Sequence, residues 1–172
     1  MEGLLRRFVD SPLLAAATGL RRWALLNTRI APMALEYHVQ GWFRAMVGLS
    51  ACFLASRFSK DGLLVGAIFF LWIAAVYVLS LVATKVASIP WRDDVWRMEA
   101  FDSAVRRERD LMQRLSALGM TAISLALLAL FVVIRDTTGL AVAFGMTGLA
   151  LAETSRCYIR AADPPSPSLS TR

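Results

Sequence analysis

Two stretches of this chain carry no charge over a length that only a bilayer or a fully enclosing apolar core would accept. Gly62 to Thr84 (GLLVGAIFFLWIAAVYVLSLVAT) runs for 23 residues, and Leu115 to Ile134 (LSALGMTAISLALLALFVVI) runs for 20. At 1.5 Å rise per residue, roughly 20 such residues cross the hydrocarbon layer of about 30 Å. Both are apolar on every side, so in water each would need covering all round, and a chain of 172 residues is too short to do that twice.

Two shorter windows extend the pattern. Trp42 to Ser56 holds Arg44 near its start, and Thr137 to Ala152 is an uncharged run closed by Glu153. In each the single charge sits at an end, where a long side chain reaches the headgroups. Both read as spans, with a re-entrant or interfacial segment as the alternative for one of them. The connections Arg57 to Asp61 and Arg135-Asp136 are so brief that they force antiparallel neighbours. The expected fold is therefore an all-α membrane protein with four transmembrane helices arranged as two antiparallel hairpins. The hairpins occupy residues 41–84 and 115–153. Residues 1–40 form an amphipathic cytoplasmic or interfacial segment. Residues 85–114 form a cytoplasmic linker whose amphipathic helix extends the third span, and residues 154–172 form a cytoplasmic tail, disordered at its end.

Charge supplies the orientation. Of the 19 Lys and Arg residues, all but Arg57, Lys60 and Arg135 lie in the N-terminal segment up to Arg44, the central linker or the tail. The positive-inside rule then places both termini and the linker in the cytoplasm. The net charge of +6 is accounted for by attraction to anionic lipid headgroups, and the Arg residues, interleaved with Asp and Glu, build no nucleic-acid module. Arg far outnumbers Lys, a bias that suits a bacterial inner membrane; the alternative is the mitochondrial inner membrane, against which Glu2 and Asp10 count. Arg6-Arg7 resembles an export signal, but the apolar stretch behind it ends at Arg21-Arg22 without a cleavage site, so the N-terminus is read as retained.

The first forty residues alternate apolar side chains with Arg pairs and are interrupted by Pro12, Gly19 and Pro32. That suits short amphipathic helices lying in the headgroup plane or packed on the cytoplasmic end of the bundle, and the sequence alone leaves both open. In the linker, Ser88-Ile89-Pro90 breaks the preceding helix and Asp93-Asp94 suits a helix start. From there Val95, Met98, Phe101, Val105 and Met112 fall on one helical stripe, a candidate partner-binding face, and no Gly or Pro intervenes before the third span. One helix from about Asp94 to Ile134 is expected, with Arg106 paired to Asp102 and Asp110 on its solvated side. Trp91 and Trp96 fit an interfacial aromatic belt.

Within the spans, Gly62 and Gly66, and the line Ala141, Gly145, Gly148 and Ala152, are candidate faces for close helix packing, within the bundle or between copies. Arg44 and Glu153 are a candidate ion pair between the two hairpins. No catalytic residue, cofactor or metal site emerges. His38 is the single histidine, Cys52 and Cys157 lie in different environments, and no phosphate loop, nucleophile elbow or zinc motif occurs. Asp93, Asp94, Glu99 and Asp102 are better explained by capping and surface pairing than by Mg²⁺. The expected role is a non-enzymatic accessory or scaffold subunit of a membrane complex, with a protein partner or self-association. The alternative is a small oligomeric channel or transporter, for which Thr121, Ser124, Thr137, Thr138 and Thr147 are the available polar lining.

Overall fold

The structure, a computed structural model, describes residues 2–28, 30, 32–58, 62–86 and 91–169, and almost all of these are helical, with no strand among them. Helix α1 (Glu2–Leu5) runs through a π-helical turn (Arg6–Asp10) into α2 (Ser11–Trp23), which passes through a second π-helical turn (Ala24–Thr28). Four long helices follow in two pairs, α3 (Pro32–Phe58) with α4 (Gly62–Val86), and α6 (Leu111–Ile134) with α7 (Thr137–Ala161). Between the pairs lies α5 (Asp93–Arg109), and a 3₁₀ turn (Pro167–Leu169) ends the described chain. Pro12 does not interrupt the N-terminal run, because it occupies the first turn of α2, where no backbone donor is required.

The long helices form a row in the order α4, α3, α7, α6. Small residues let them approach. A Cβ on Gly41 would meet Ser80, one on Gly48 would meet Ile73 and Trp72, and one on Gly148 would meet the Phe43 carbonyl and Met46. The first two contacts make α3 antiparallel to α4. Ser50 Oγ donates to the Ala141 carbonyl at 2.6 Å, and Glu36 meets Arg160 at 2.6 Å, so α7 runs antiparallel to α3. The Arg135-Asp136 connection is closed by Arg135 in the left-handed region (φ 57°), whose N–H turns back onto the last carbonyls of α6. Asp136 then caps α7 by accepting from the Thr138 N–H at 3.0 Å.

One helix among the described residues, Leu111–Ile134, is long and apolar enough to cross a membrane by length and composition, and only 17% of its apolar window is buried. A shorter apolar run, Gly66–Val82, lies inside α4. The distribution of polarity is inverted relative to a water-soluble fold. The largest fully buried side chains include Arg21, Arg114, Asp10 and Thr147, whereas Phe70, Leu71 and Val133 are 69%, 67% and 78% exposed. The apolar clusters are small: Ala17 with Tyr158 and Ala162, and Ala24 with Leu35 and Ile159.

Two expectations fail here. The helix expected from Asp94 through Ile134 is broken at Asp110, whose backbone (φ −103°, ψ 23°) leaves the helical region, so α5 and α6 are separate. No Gly or Pro causes this; the break lets α5 turn and pack against the end of α7. The tail is also not free from Pro164 onward. Trp91 Nε1 donates to the Pro165 carbonyl at 3.0 Å and Trp96 Nε1 to the Pro164 carbonyl at 3.3 Å, and both prolines are buried. Those indoles hold the tail. Residues 170–172 and the expected break at 88–90 lie outside the described residues.

The glycine environments yield a stability contrast. Gly148→Ala drives a methyl into a backbone carbonyl and should cost about 1–3 kcal/mol. Gly19→Ala in α2, where a Cβ meets nothing within 4 Å, should gain roughly 0.5–1 kcal/mol. Thermal melting in mild detergent will show opposite shifts for the two variants.

Candidate functional site

The chemistry of this chain is concentrated where α2, α5, the start of α6 and the end of α7 meet. Its origin lies in helix termini. The last carbonyls of a helix have no partner within it, and burying them without donors costs about 1–3 kcal/mol each. Here the end of α7 is buried and the last turn of α5 partly so, and arginines supply the donors.

Arg114, 1% exposed, makes the fullest set of contacts. Its Nη1 donates to the Arg106 carbonyl at 3.0 Å and its Nη2 to the Arg107 carbonyl at 2.8 Å, closing the end of α5. The same guanidinium binds the Asp10 carboxylate in a two-point fork, Nε to Oδ1 and Nη2 to Oδ2, both at 2.9 Å. Its carbon lies 5.9 Å from the centroid of the Tyr158 ring on α7, within cation–π range. One side chain thus ties together the N-terminal helices, α5, α6 and α7, and its reach back to residues 106 and 107 accounts for the break at Asp110.

Arg21 repeats the device at the end of α7. Its Nη1 donates to the Ile159 carbonyl at 3.0 Å and the Ala162 carbonyl at 2.8 Å, and its Nη2 to Glu99 of α5 at 3.0 Å. Arg107 adds a bond from Nε to the Ala161 carbonyl at 3.3 Å and an ion pair with Asp163. Burial pulls the Arg21 guanidinium below its ordinary value, opposed by Glu99. Burial pushes the Asp10 carboxyl up, but the hydrogen bonds and charge of Arg114 outweigh it and leave the group below the usual carboxylate range. Along α2 and the π-helical turns flanking it, Asp10, Leu14, Ala17, Arg21 and Ala24 face inward, while Leu13, Leu20 and Trp23 face out. The N-terminal helices are therefore docked on the end of the bundle, with two of their charges turned inward.

The residues singled out from sequence fall as follows. Arg44 and Glu153 are not brought together. Arg44 donates from Nη2 to Gln40 at 3.1 Å, and Glu153 is held by Arg156 three residues on and by Gln113 at 3.5 Å. The ion pair joining α3 to α7 forms about two turns away, between Glu36 and Arg160, and continues along α3 through Gln40 to Arg44. Ala141, Gly145, Gly148 and Ala152 are buried, with Gly145 against Ser50 and Gly148 against Phe43 and Met46, all on α3. A Cβ on Gly66 would meet nothing within 4 Å, so this glycine packs on no neighbour; the surroundings of Gly62 lie outside the described residues. Of the expected stripe, Val95 on α5 is half-buried and Met98, Phe101 and Val105 are exposed, while Met112, also exposed, falls on α6 beyond the break at Asp110. Arg106 pairs with Asp102 at 3.2 Å, and no group of three His, Cys, Asp or Glu among the described residues converges as a metal site would. Thr121 bonds the Ala117 carbonyl and Thr154, and Thr147 bonds the Ala143 carbonyl.

Asp10, Arg21, Glu99 and Arg114 were not separable from ordinary surface charges by spacing, since their partners lie 78 to 141 residues away. A faint signal existed in α2: opposite charges at positions 10 and 21 share one helical face with Leu14 and Ala17, which puts charge on the side that packs. No family model, curated protein or solved structure matches this chain.

Because each arginine answers buried carbonyls as well as a carboxylate, removing a partner leaves a charge without compensation. Asp10→Asn should cost about 3–5 kcal/mol in detergent melts, and Arg114→Lys should also destabilise, since an ammonium cannot reproduce the fork. Asp10 has a lowered value in the folded state, so its contribution is complete above the ordinary carboxylate pKa of about 4 and fades as pH falls through the folded value. Acid melts of wild type will show this loss, and Asp10→Asn will lack it. A charge swap of Glu36 with Arg160 should restore what each single reversal loses; a swap of Arg44 with Glu153 should restore nothing.

Proposed function

We propose that this chain is a four-span membrane protein in which α3, α4, α6 and α7 cross as two hairpins, and that it serves as a non-enzymatic accessory or scaffold subunit of a bacterial inner-membrane complex. The observation that carries this reading is the inversion of polarity. Large apolar side chains along α4 and α6 point outward, while the buried groups at one end are ion pairs and capped carbonyls. Leaving a Leu, Val or Phe in water instead of burying it forfeits about 1.5–3 kcal/mol each, which lipid restores. Polar groups buried at the charged end are satisfied within the protein, as burial away from water requires anywhere.

The charged end gathers α2, α5, the start of α6 and the end of α7, the segments that the Lys and Arg distribution assigns to the cytoplasm. On that side α5 presents Met98 and Phe101, 61% and 70% exposed, on a helix otherwise held by ion pairs to its neighbours. A firmly mounted helix with an uncovered apolar face suits docking of a partner subunit. The channel alternative finds less support, because Thr121, Ser124 and Thr147 direct their hydroxyls to backbone carbonyls inside the bundle.

Membrane residence is tested by fractionation and tag accessibility. The protein should require detergent for extraction, and tags at residues 1 and 172 should both be shielded from outside in intact cells; opposite exposure of the two tags refutes the four-span topology. Phe101→Asp should leave melting within about 0.5 kcal/mol of wild type, as for surface changes generally, and abolish co-purification of a stoichiometric partner. A defined homo-oligomer with no foreign partner would favour the pore.

A further inference from the structure

The charged end and the apolar helices are joined by a cleft that the packing of the bundle leaves unfilled. Between α6 and α7 lies a cavity of about 400 Å³, walled by Ala117, Met120 and Ile123 on one side and by Met146, Leu149 and Ala150 on the other. Its volume falls within the roughly 300–1,000 Å³ of small-ligand sites. Gln113 lines its end and also lines a second, smaller cavity of about 110 Å³. That cavity is bounded by Arg106, Arg114, Arg156 and Arg160, with Asp110 beside them. The apolar cleft and the cationic cavity thus adjoin at Gln113.

The geometry points to a site for a single anionic phospholipid of the cytoplasmic leaflet, its acyl chain in the α6–α7 cleft and its phosphate among the arginines. This assignment rests on the four-span reading. Length is the first support. The cleft runs along α6 from Gln113 to Ser124, about 16 Å at helical rise, and half of a hydrocarbon layer of about 30 Å is one leaflet. Depth is the second: Gln113 and Glu153 stand where the uncharged windows of α6 and α7 end, which is headgroup level. Charge is the third. Arg114 is committed to Asp10 and to the α5 carbonyls, but among the described contacts Arg160 engages Glu36 through Nε alone and Arg106 engages Asp102 through Nη2 alone. Glu153 at the junction is neutralised by Arg156. Basic pockets between spans on the cytoplasmic side are suited to anionic headgroups, which a zwitterionic lipid does not match.

The test uses the full chain in mild detergent and native mass spectrometry with phosphatidylglycerol and phosphatidylcholine of equal acyl length. Phosphatidylglycerol should be retained about tenfold better, and Arg106→Gln should cut that preference about fivefold. Ala150→Phe, which fills the cleft, should abolish retention while the melting transition persists. In wild type, a photoactivatable phosphatidylglycerol should label α6 and α7 between residues 113 and 153, so the assignment stays testable if a variant misfolds. Equal retention of both lipids, displacement of phosphatidylglycerol by millimolar inorganic phosphate, or labelling spread evenly over α4 overturns the site. A protein that stays in solution without detergent overturns the four-span reading and the site with it; one that needs detergent yet holds both lipids alike overturns the site alone.

Discussion

Inward-turned helix ends set the problem around which the rest of this molecule is arranged. The end of α7 is buried and the last turn of α5 partly so, and carbonyls at both ends are met by side chains of the protein. A guanidinium is well fitted to the task, because its donors lie in a plane and keep their charge at any physiological pH. Arg114 and Arg21 each divide their donors between the carbonyls of one helix and the carboxylate of another element. The positive charge also complements the negative end of the helix dipole. The capped ends are thus also the joints by which five helical segments hold together.

That arrangement makes sense of where the apolar residues went. A water-soluble fold of this size would place its leucines and phenylalanines between helices and its arginines outside. Here each of the closest contacts between the long helices has glycine, alanine, serine or threonine on at least one side, which brings the backbones close. The bulky side chains are left for whatever surrounds the bundle. Cohesion is divided accordingly: close van der Waals contact along the helices, and charge-assisted hydrogen bonds at one end.

Much of the helical framework was legible in the sequence, because it depends on local properties. Uncharged runs mark α4 and α6, and the Arg135-Asp136 pair marks the tight turn between α6 and α7, where one residue adopts a left-handed conformation and the next caps a helix. The end of α5 was not legible. Nothing in the sequence near Asp110 disfavours a helix, and the break there arises from a guanidinium four residues later that bonds to residues 106 and 107. Pairing across the long helices was legible only in kind. A link between α3 and α7 exists, but which acid meets which base depends on helix register and on the pull of a nearer partner, as Arg156 shows by taking Glu153. The tail was misread because a run of prolines and serines looks featureless; proline carbonyls are good acceptors, and two indoles that seemed placed for an interface were pointed at them.

The reach of Arg21 has a temporal side. Its acceptors, the carbonyls of Ile159 and Ala162, lie 138 and 141 residues further along the chain. During synthesis the first helices therefore emerge with a cation whose carbonyl partners do not yet exist, and these bonds can form only once α7 has been made. Closure of the charged end becomes a late event that reports on arrival of the fourth long helix.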